Sequence, residues 1–233
     1  MKSLTFIRVC YFLILSFFPS LLFANTSAYD DTLFSHPATE STLKALSSQL
    51  HFGSSASGDF TQYRQLKVLK KPLVSHGHFL FDQHRGLVWQ QLRPFKSSLI
   101  LKDKQLIQVN SQGHIQIQDA GNIPAASALE NIMPSLLNAM LTGDIKQLEQ
   151  DFSISFLQAK KQWQLGLIPK DPLVAKILPK MIIEGQTSIN QLVLFSPNGD
   201  SSKIVFSHIQ NRPLTMAELN AFNPDTKKSK QTN

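Results

Sequence analysis

Cysteine is almost absent from this chain of 233 residues, in which Cys10 is the only one. A single cysteine can form no internal disulfide and offers no thiolate cluster to a metal. Cys10 also follows Arg8 and Val9 at the start of an apolar run, whereas a lipoprotein signal carries its cysteine after small residues at the end of such a run. The sequence therefore predicts neither crosslinks nor a lipid on Cys10.

Recognisable catalytic motifs are also lacking. The chain has no Gly-x-Ser-x-Gly elbow, phosphate-cradling loop or His-Glu-x-x-His zinc motif, and its 16 acidic residues form no spaced pair. His76 and His78 share a predicted strand face and His84 follows, so three imidazoles for a metal are one interpretation; solvent-facing histidines are the commoner one. Ser75 and His76 point to opposite faces of a strand, which argues against a nucleophile and its base. We predict a non-catalytic protein without metal or cofactor.

The N-terminus has the pattern of an export signal. Lys2 and Arg8 form a basic start, residues 9–23 are nearly all apolar, and Ala24 ends an acceptable cleavage site. The apolar run is short for a spanning helix, so residues 1–24 are predicted to be a secretory signal peptide rather than a membrane anchor. We expect a soluble product in the periplasm of a Gram-negative bacterium.

The formal charge of +7 at pH 7 is mild and mostly dispersed. Export argues against nucleic acid as a partner. The charge fits an anionic membrane surface or an acidic partner, although solubility explains it equally well. Lysines concentrate in the polar tail at residues 223–233, which is predicted to be disordered.

The rest of the chain predicts about ten short strands and few helices. A first helix is predicted over residues 37–50, with Leu43, Leu46 and Leu50 on one face. Strands with alternating apolar and polar residues then follow one another through short turns, which favours an antiparallel sheet. The fold class is α+β, mainly β, with residues 25–222 as one domain.

One long helical insert interrupts the strands. Ser127 and Glu130 form a capping box, and Pro134 should kink the helix that follows. An apolar stripe at helical spacing suits a lid over the sheet. The predicted lid residues are Leu129, Ile132, Met133, Leu136, Leu137 and Met140.

A sheet of this size tends to curl, which gives it a concave face. That face is filled either by the protein itself, as an ordinary closed core, or by a bound guest. Its aromatic content, the methionines of the lid and the need of a non-catalytic exported protein for a task favour a cavity. The predicted lining is Phe60, Phe79, Phe81, Trp89, Leu99, Leu101, Ile115 and Ile117.

Several short motifs resemble the LolA-like family of periplasmic outer-membrane lipoprotein carriers. They follow a signal peptide and a first helix with spaced leucines, and their order covers essentially the whole mature chain. The motifs are Gly58-Asp59-Phe60-Thr61-Gln62, Ser75-His76-Gly77-His78-Phe79, Leu87-Val88-Trp89 and Arg93-Pro94-Phe95.

The resemblance implies an open, unclosed antiparallel barrel with a helical lid over an apolar cavity. It implies a monomer that takes acylated lipoproteins from an inner-membrane exporter and hands them to an outer-membrane receptor. The family's lid-closing arginine would fall at Gln83, so nearby Arg85 is the candidate latch. The run at residues 69–75 looks like a divergent subgroup, which leaves the cargo open between lipoproteins and other acylated lipids or glycolipids. The rival interpretation is a non-catalytic periplasmic adaptor with a filled β-core.

Overall fold

One antiparallel sheet of eleven strands dominates the computed structural model, which describes residues 31–50, 53–103, 105–119, 139 and 145–224. The order across the sheet is β6-β5-β4-β3-β2-β1-β11-β10-β9-β8-β7, and the two edge strands do not pair, so the sheet is not closed into a barrel. The predicted fold class is confirmed. The strands are β1 (Ser55–Gln65), β2 (Leu73–Asp82), β3 (Gly86–Arg93), β4 (Ser97–Lys102), β5 (Gln105–Val109), β6 (Ile115–Asp119), β7 (Phe152–Ala159), β8 (Gln162–Pro169), β9 (Lys180–Gly185), β10 (Ile189–Phe195) and β11 (Ser201–Gln210).

The described helices are short. The helix predicted over residues 37–50 begins at Glu40, three residues later than predicted. Pro37 instead forms an antiparallel bridge with Ser155 on β7. Thr39 caps the helix, its side chain accepting from the backbone N–H of Thr42. The helices are α1 (Asp31–Phe34), α2 (Glu40–Gln49), α3 (Leu148–Asp151) after a 3-10 turn at Ile145–Gln147, α4 (Pro172–Ala175) and α5 (Met216–Asn220).

The strand registers divide the side chains between two faces. We call inner the face that carries Phe60, because Leu43, Leu46 and Leu50 from α2 and its C-terminal end pack against it in one buried cluster. The cluster extends to both halves of the sheet. Its strand members include Phe79, Phe81, Trp163, Leu165, Leu167, Met181, Ile183, Leu192 and Ile204.

Two segments cover parts of the opposite, outer face: α1 and the C-terminal segment. Leu33 of α1 packs on Ile182 and Val193 over the β9–β10 region. Residues of the C-terminal segment, including Leu214 and Phe222, pack on the outer side of β2 to β5. The strand residues beneath that segment are Leu80, Val88, Ile100 and Ile107.

The predicted lid residues Leu129, Ile132, Met133, Leu136, Leu137 and Met140 all lie outside the described residues. Within the predicted lid segment the structure describes Ala139, which is helical and fully buried in the inner cluster. This one residue of the segment therefore belongs to the core on the inner side of the sheet.

An ion pair lies within the C-terminal segment that covers the outer side of β2 to β5, which we call the C-terminal cover. The Arg212 guanidinium donates to both oxygens of Glu218 at 2.8 Å, and the Glu218 carboxylate also accepts from the N–H of Thr215 at 2.7 Å. These contacts form a capping box at the start of α5. Hydrogen bonding from Arg212 and Thr215 lowers the pKa of Glu218 to about 2.

This depressed pKa predicts a pH-dependent contribution to folding. The contribution is present above the ordinary value of 4.5 and is lost as the pH falls from there towards 2, because the carboxylate must then protonate. Glu218→Gln should lower the Tm by about 3 °C at pH 7, and the difference from wild type should shrink below pH 4. Thermal unfolding between pH 2.5 and 7 measures both. Arg212→Gln should cost little more in the Glu218→Gln background; additive losses would contradict the pairing.

Candidate functional site

Four aromatic rings meet on the inner face at the centre of the sheet. Phe60 on β1 stacks on Trp89 on β3 with ring centroids 3.7 Å apart and an interplanar angle of 19°. Phe206 on β11 meets Trp89 edge-on at 6.4 Å and Phe79 edge-on at 5.6 Å. Aromatic pairs in these geometries add to the stability that burial alone gives. The four rings form a continuous apolar floor across strands β11, β1, β2 and β3.

The stacking across β2 depends on a missing side chain. Phe60 lies directly opposite Gly77 in the β1–β2 register, so its ring passes over Gly77 to reach Trp89 on the next strand. A Cβ at Gly77 would collide with the Phe60 ring and with the backbone carbonyl of Gln90. Glycine is therefore part of the construction of the aromatic floor.

A groove of about 270 Å³ opens beside Trp89 and continues the floor towards β6. Leu99, opposite Trp89 in the β3–β4 register, extends the apolar surface. The walls are amides, from Gln91, Gln108 and Gln116. The groove is slightly smaller than the roughly 300–1,000 Å³ of typical small-molecule pockets, and it combines an apolar base with hydrogen-bonding sides.

Six of the eight predicted cavity residues share the inner face, and two do not. The registers place Ile117 opposite Ile107, which lies on the outer face with Val88 and Ile100. Ile115 falls on the same outer side, packed against the C-terminal cover. Their assignment to the cavity is corrected, because the pairing phase of β5 with β6 sends their side chains away from it. The six that the sheet brings together are Phe60, Phe79, Phe81, Trp89, Leu99 and Leu101.

Burial separates these six residues into two groups. Phe60, Phe79 and Phe81 are at most 6% exposed and belong to the buried cluster around α2. The other three, Trp89, Leu99 and Leu101, are only partly buried. The accessible part of the inner face therefore lies over β3 and β4. The three buried phenylalanines, which were predicted to line the cavity, lie on the neighbouring strands β1 and β2.

Two contributors were missed in the sequence. Phe206 follows Ile204 at the alternation of an inner-facing strand, so its phase was visible, but the partner of β11 was not. The three glutamines of the groove lie on three different strands, β3, β5 and β6. Only the strand registers show that their side chains line the same groove.

The candidate latch Arg85 is exposed in the turn between β2 and β3, where its N–H hydrogen bonds to Asp82. Gln83, at the family's expected position, is two residues earlier in the same turn. The predicted lid contacts lie outside the described residues, so the role of Arg85 stays a prediction.

Three histidines, His76, His78 and His208, lie on the outer face and pair with neighbours. His78 and His208 each place Nδ1 3.0 Å from a different oxygen of Asp59, and His76 bonds Thr61. Hydrogen bonding from His78, with His208 adding to it, lowers the pKa of Asp59. Among the described residues no three histidine, cysteine, aspartate or glutamate side chains are placed to hold a metal ion.

A second depression, of about 430 Å³, lies mainly on the outer face near the β9–β10 hairpin. Glu184 at its base accepts from Gln164 at 2.9 Å and from Gln191 at 2.8 Å, and burial raises the pKa of this carboxyl. Its lining mixes polar side chains with Leu157, Trp163 and Val205, and none of the four rings of the aromatic floor contributes to it.

The fold and the inner face together define a class: an open antiparallel half-barrel with an accessible aromatic groove on its inner side. A family model described as "Outer membrane lipoprotein carrier protein LolA-like" matches residues 39–206. The chain therefore belongs to this LolA-like family, as its short motifs suggested. No curated protein matches the chain.

Solved structures with a similar fold share little sequence. The LolA superfamily protein NE2245 from Nitrosomonas europaea is 10% identical, covering 76% of this chain and 96% of its own, with a TM-score of 0.41. A putative outer membrane lipoprotein-sorting protein domain from Vibrio parahaemolyticus is 10% identical over 77% and 94%, with a TM-score of 0.40. The MucA/MucB complex of Pseudomonas aeruginosa gives 13% identity over 76% and 58%, with a TM-score of 0.43.

Gly77 provides a test of the aromatic floor. Gly77→Ala should destabilise the protein by about 1–3 kcal/mol, because the added methyl must displace the Phe60 ring or the β3 backbone. Urea unfolding measures the loss. The control is Gly53→Ala, where the nearest atom to a new Cβ lies at 3.6 Å. A Gly77→Ala variant as stable as wild type would contradict the close stacking.

Proposed function

We propose that this protein is a non-catalytic periplasmic carrier that binds the acyl chains of lipoproteins, or of related acylated lipids, on the inner face of its sheet. It shuttles them towards the outer membrane. Membership of the LolA-like family supports the class of function. The partly buried surface of Trp89 and Leu99, at the base of an open groove, is the observation that carries the proposal.

Acyl transfer to this groove is favourable on physical grounds. Each buried methylene contributes about 0.8 kcal/mol, so a long chain contributes on the order of 10 kcal/mol before costs. The accessible floor is wide enough for only part of a chain, and a lid that moves from the inner face would extend it. Ala139, buried in the same cluster as Phe81, belongs to the segment predicted to form such a lid.

The glutamine walls favour a cargo with polar groups beside its acyl chains. Side-chain amides both donate and accept hydrogen bonds. Gln91, Gln108 and Gln116 therefore suit the ester, amide and glycerol groups where acyl chains join a lipoprotein or a lipid headgroup. Gln91 already donates to the backbone carbonyl of Phe95, so Gln108 and Gln116 are the amides left to meet such groups.

The rival function, an adaptor with a filled core, is favoured by the other half of the sheet. Trp163, Leu165, Met181 and Ile183 on β8 and β9 are at most 2% exposed and are packed by the protein itself. A guest has no access there. The two functions therefore differ in what happens over β3 and β4.

A matched pair of substitutions separates these functions. Leu99→Glu places a carboxylate in the groove and should weaken binding of a fluorescent fatty acid by about tenfold or more, because leucine burial alone is worth about 1.5–3 kcal/mol. Ile117→Glu makes the same change on the outer face, where the side chain is 51% exposed, and should leave binding intact. Fluorescence titration measures both.

Folding is checked by circular dichroism on each variant. Wild-type protein that binds no acyl probe would reject the carrier. Equal loss of binding in folded Leu99→Glu and Ile117→Glu would move the site away from the groove. Phe81→Glu is unsuitable for this comparison, since it buries an unpaired carboxylate at a position 5% exposed and should unfold the protein.

Export belongs to the same proposal. The structure describes no helix with the length and apolar character to span a membrane, and residues 1–30 lie outside that description. We expect cleavage after Ala24, which gives a mature chain that begins at Asn25. Mass spectrometry of protein recovered from the periplasmic fraction measures this. An intact N-terminus, or a lipid on Cys10, would contradict it.

A further inference from the structure

Exposed apolar side chains concentrate at one end of the sheet. The β1–β2 and β3–β4 hairpins turn at the same end, because Arg64 pairs with Leu73 and Gln91 pairs with Ser97. We call residues 64–74 and 92–97 together the rim. It holds six of the ten exposed large apolar residues of the described chain: Val68 (87% exposed), Phe95 (73%), Leu73 (52%), Leu92 (48%), Val74 (41%) and Leu69 (39%).

The rim is also uniformly basic. It has six positive residues and no aspartate or glutamate. All six are exposed. The nearby acid, Asp200 in the β10–β11 turn, accepts from the N–H of Lys67 and the amide of Asn198. The basic residues of the rim are Arg64, Lys67, Lys70, Lys71, Arg93 and Lys96.

We propose that the rim docks this protein onto an anionic lipid surface. Interfacial binding requires apolar side chains that enter the headgroup boundary and cations that meet the lipid phosphates, and the rim presents both on two adjacent hairpins. Val68 and Phe95, the two most exposed, lie in the two turns and are the anchors. Charge complementarity identifies the occupant as a negatively charged membrane leaflet.

Docking at the rim places the aromatic groove beside the membrane. The Gln91 side-chain amide lines the groove and donates to the backbone carbonyl of Phe95 at 3.0 Å. Ser97, which follows the β3–β4 turn, lines the same groove. The surface stands independently of what the groove binds, but its position lets an acyl chain pass between bilayer and groove without crossing much water.

The experiment measures vesicle binding by the protein purified after export. Flotation with vesicles of phosphatidylcholine containing 30% phosphatidylglycerol is compared with flotation on phosphatidylcholine alone, at low and at 0.5 M salt. Wild type should bind the anionic vesicles, bind them less at high salt, and ignore the neutral ones. Binding to both kinds equally would indicate an uncleaved apolar N-terminus and would overturn the proposal.

Charge is tested with two matched lysine pairs. Lys70→Glu with Lys71→Glu should reduce partition onto anionic vesicles by about tenfold or more. Lys160→Glu with Lys161→Glu makes the same change of charge in the exposed β7–β8 turn, at the other end of the sheet, and should have little effect. Equal losses of vesicle binding in the two double variants would show that net charge alone attracts the protein, and would overturn the assignment of the membrane contact to the rim.

The apolar anchors are tested in the same way. Phe95→Ser should weaken binding to anionic vesicles several-fold while leaving thermal stability unchanged, since the side chain is 73% exposed. Met216→Ser removes an equally exposed apolar side chain from α5 and should bind as wild type. The proposal is overturned if the wild type does not bind vesicles or if Phe95→Ser binds them fully. If the wild type does not bind, an acidic protein would be the alternative partner of the basic rim. Acyl-probe binding at Leu99 is measured separately, so either proposal can fail alone.

Discussion

The pairing of β1 with β11 is the constraint on which the rest of this structure depends. Every other neighbour pair in the sheet joins strands consecutive in the chain, whereas β1 and β11 bring together residues about 140 positions apart. Without this ladder the chain would be two separate meanders, β1–β6 and β7–β11. With it, Phe60 and Phe206 lie side by side, and one inner face spans both halves. The entropic cost of closing so long a loop is offset by the shared core around α2.

One part of the shared inner face is packed by the protein itself, and another part is open. Over β8 and β9 it is closed by side chains of the protein and supplies stability. Over β3 and β4 it is open, with Trp89 and Leu99 accessible and glutamines around them. A fully closed core could not admit a guest, and a fully open face of this size would aggregate. The division explains how one sheet can be both a stable fold and a proposed binding surface.

The two chain ends reinforce this arrangement from outside. α1 covers β9 and β10, and the C-terminal segment, which contains the Arg212–Glu218 pair, covers β2 to β5. These two segments shield parts of the outer face, which stays open at the depression beside the β9–β10 hairpin. Among the residues that the structure describes, six of the ten exposed large apolar side chains lie on the rim, which borders the open half of the inner face. The proposed groove and the proposed membrane contact are thus neighbours because the same hairpins build both.

The sequence by itself determined the local structure of this protein. Alternation of apolar and polar residues predicted the strands. Thr215 and Glu218 have the spacing of the capping box that begins α5, and Asn198-Gly199-Asp200 is a typical hairpin sequence at the β10–β11 turn, where Gly199 has φ +82°. Short motifs in order also identified the family. These features are encoded over a few residues, so they can be read without knowing what lies across the sheet.

Only the tertiary structure decided which of the apolar strand faces meet. Ile115 and Ile117 alternate as convincingly as Phe79 and Phe81, yet the β5–β6 register sends them to the outer face. Phe206 joined the site through the long-range pairing of β11 with β1, and the groove glutamines joined it through the successive hairpins from β3 to β6. A strand pattern fixes which residues share a side, but a shift of one residue in register exchanges the sides. That choice depends on long-range pairing and on packing around α2, which no local pattern contains.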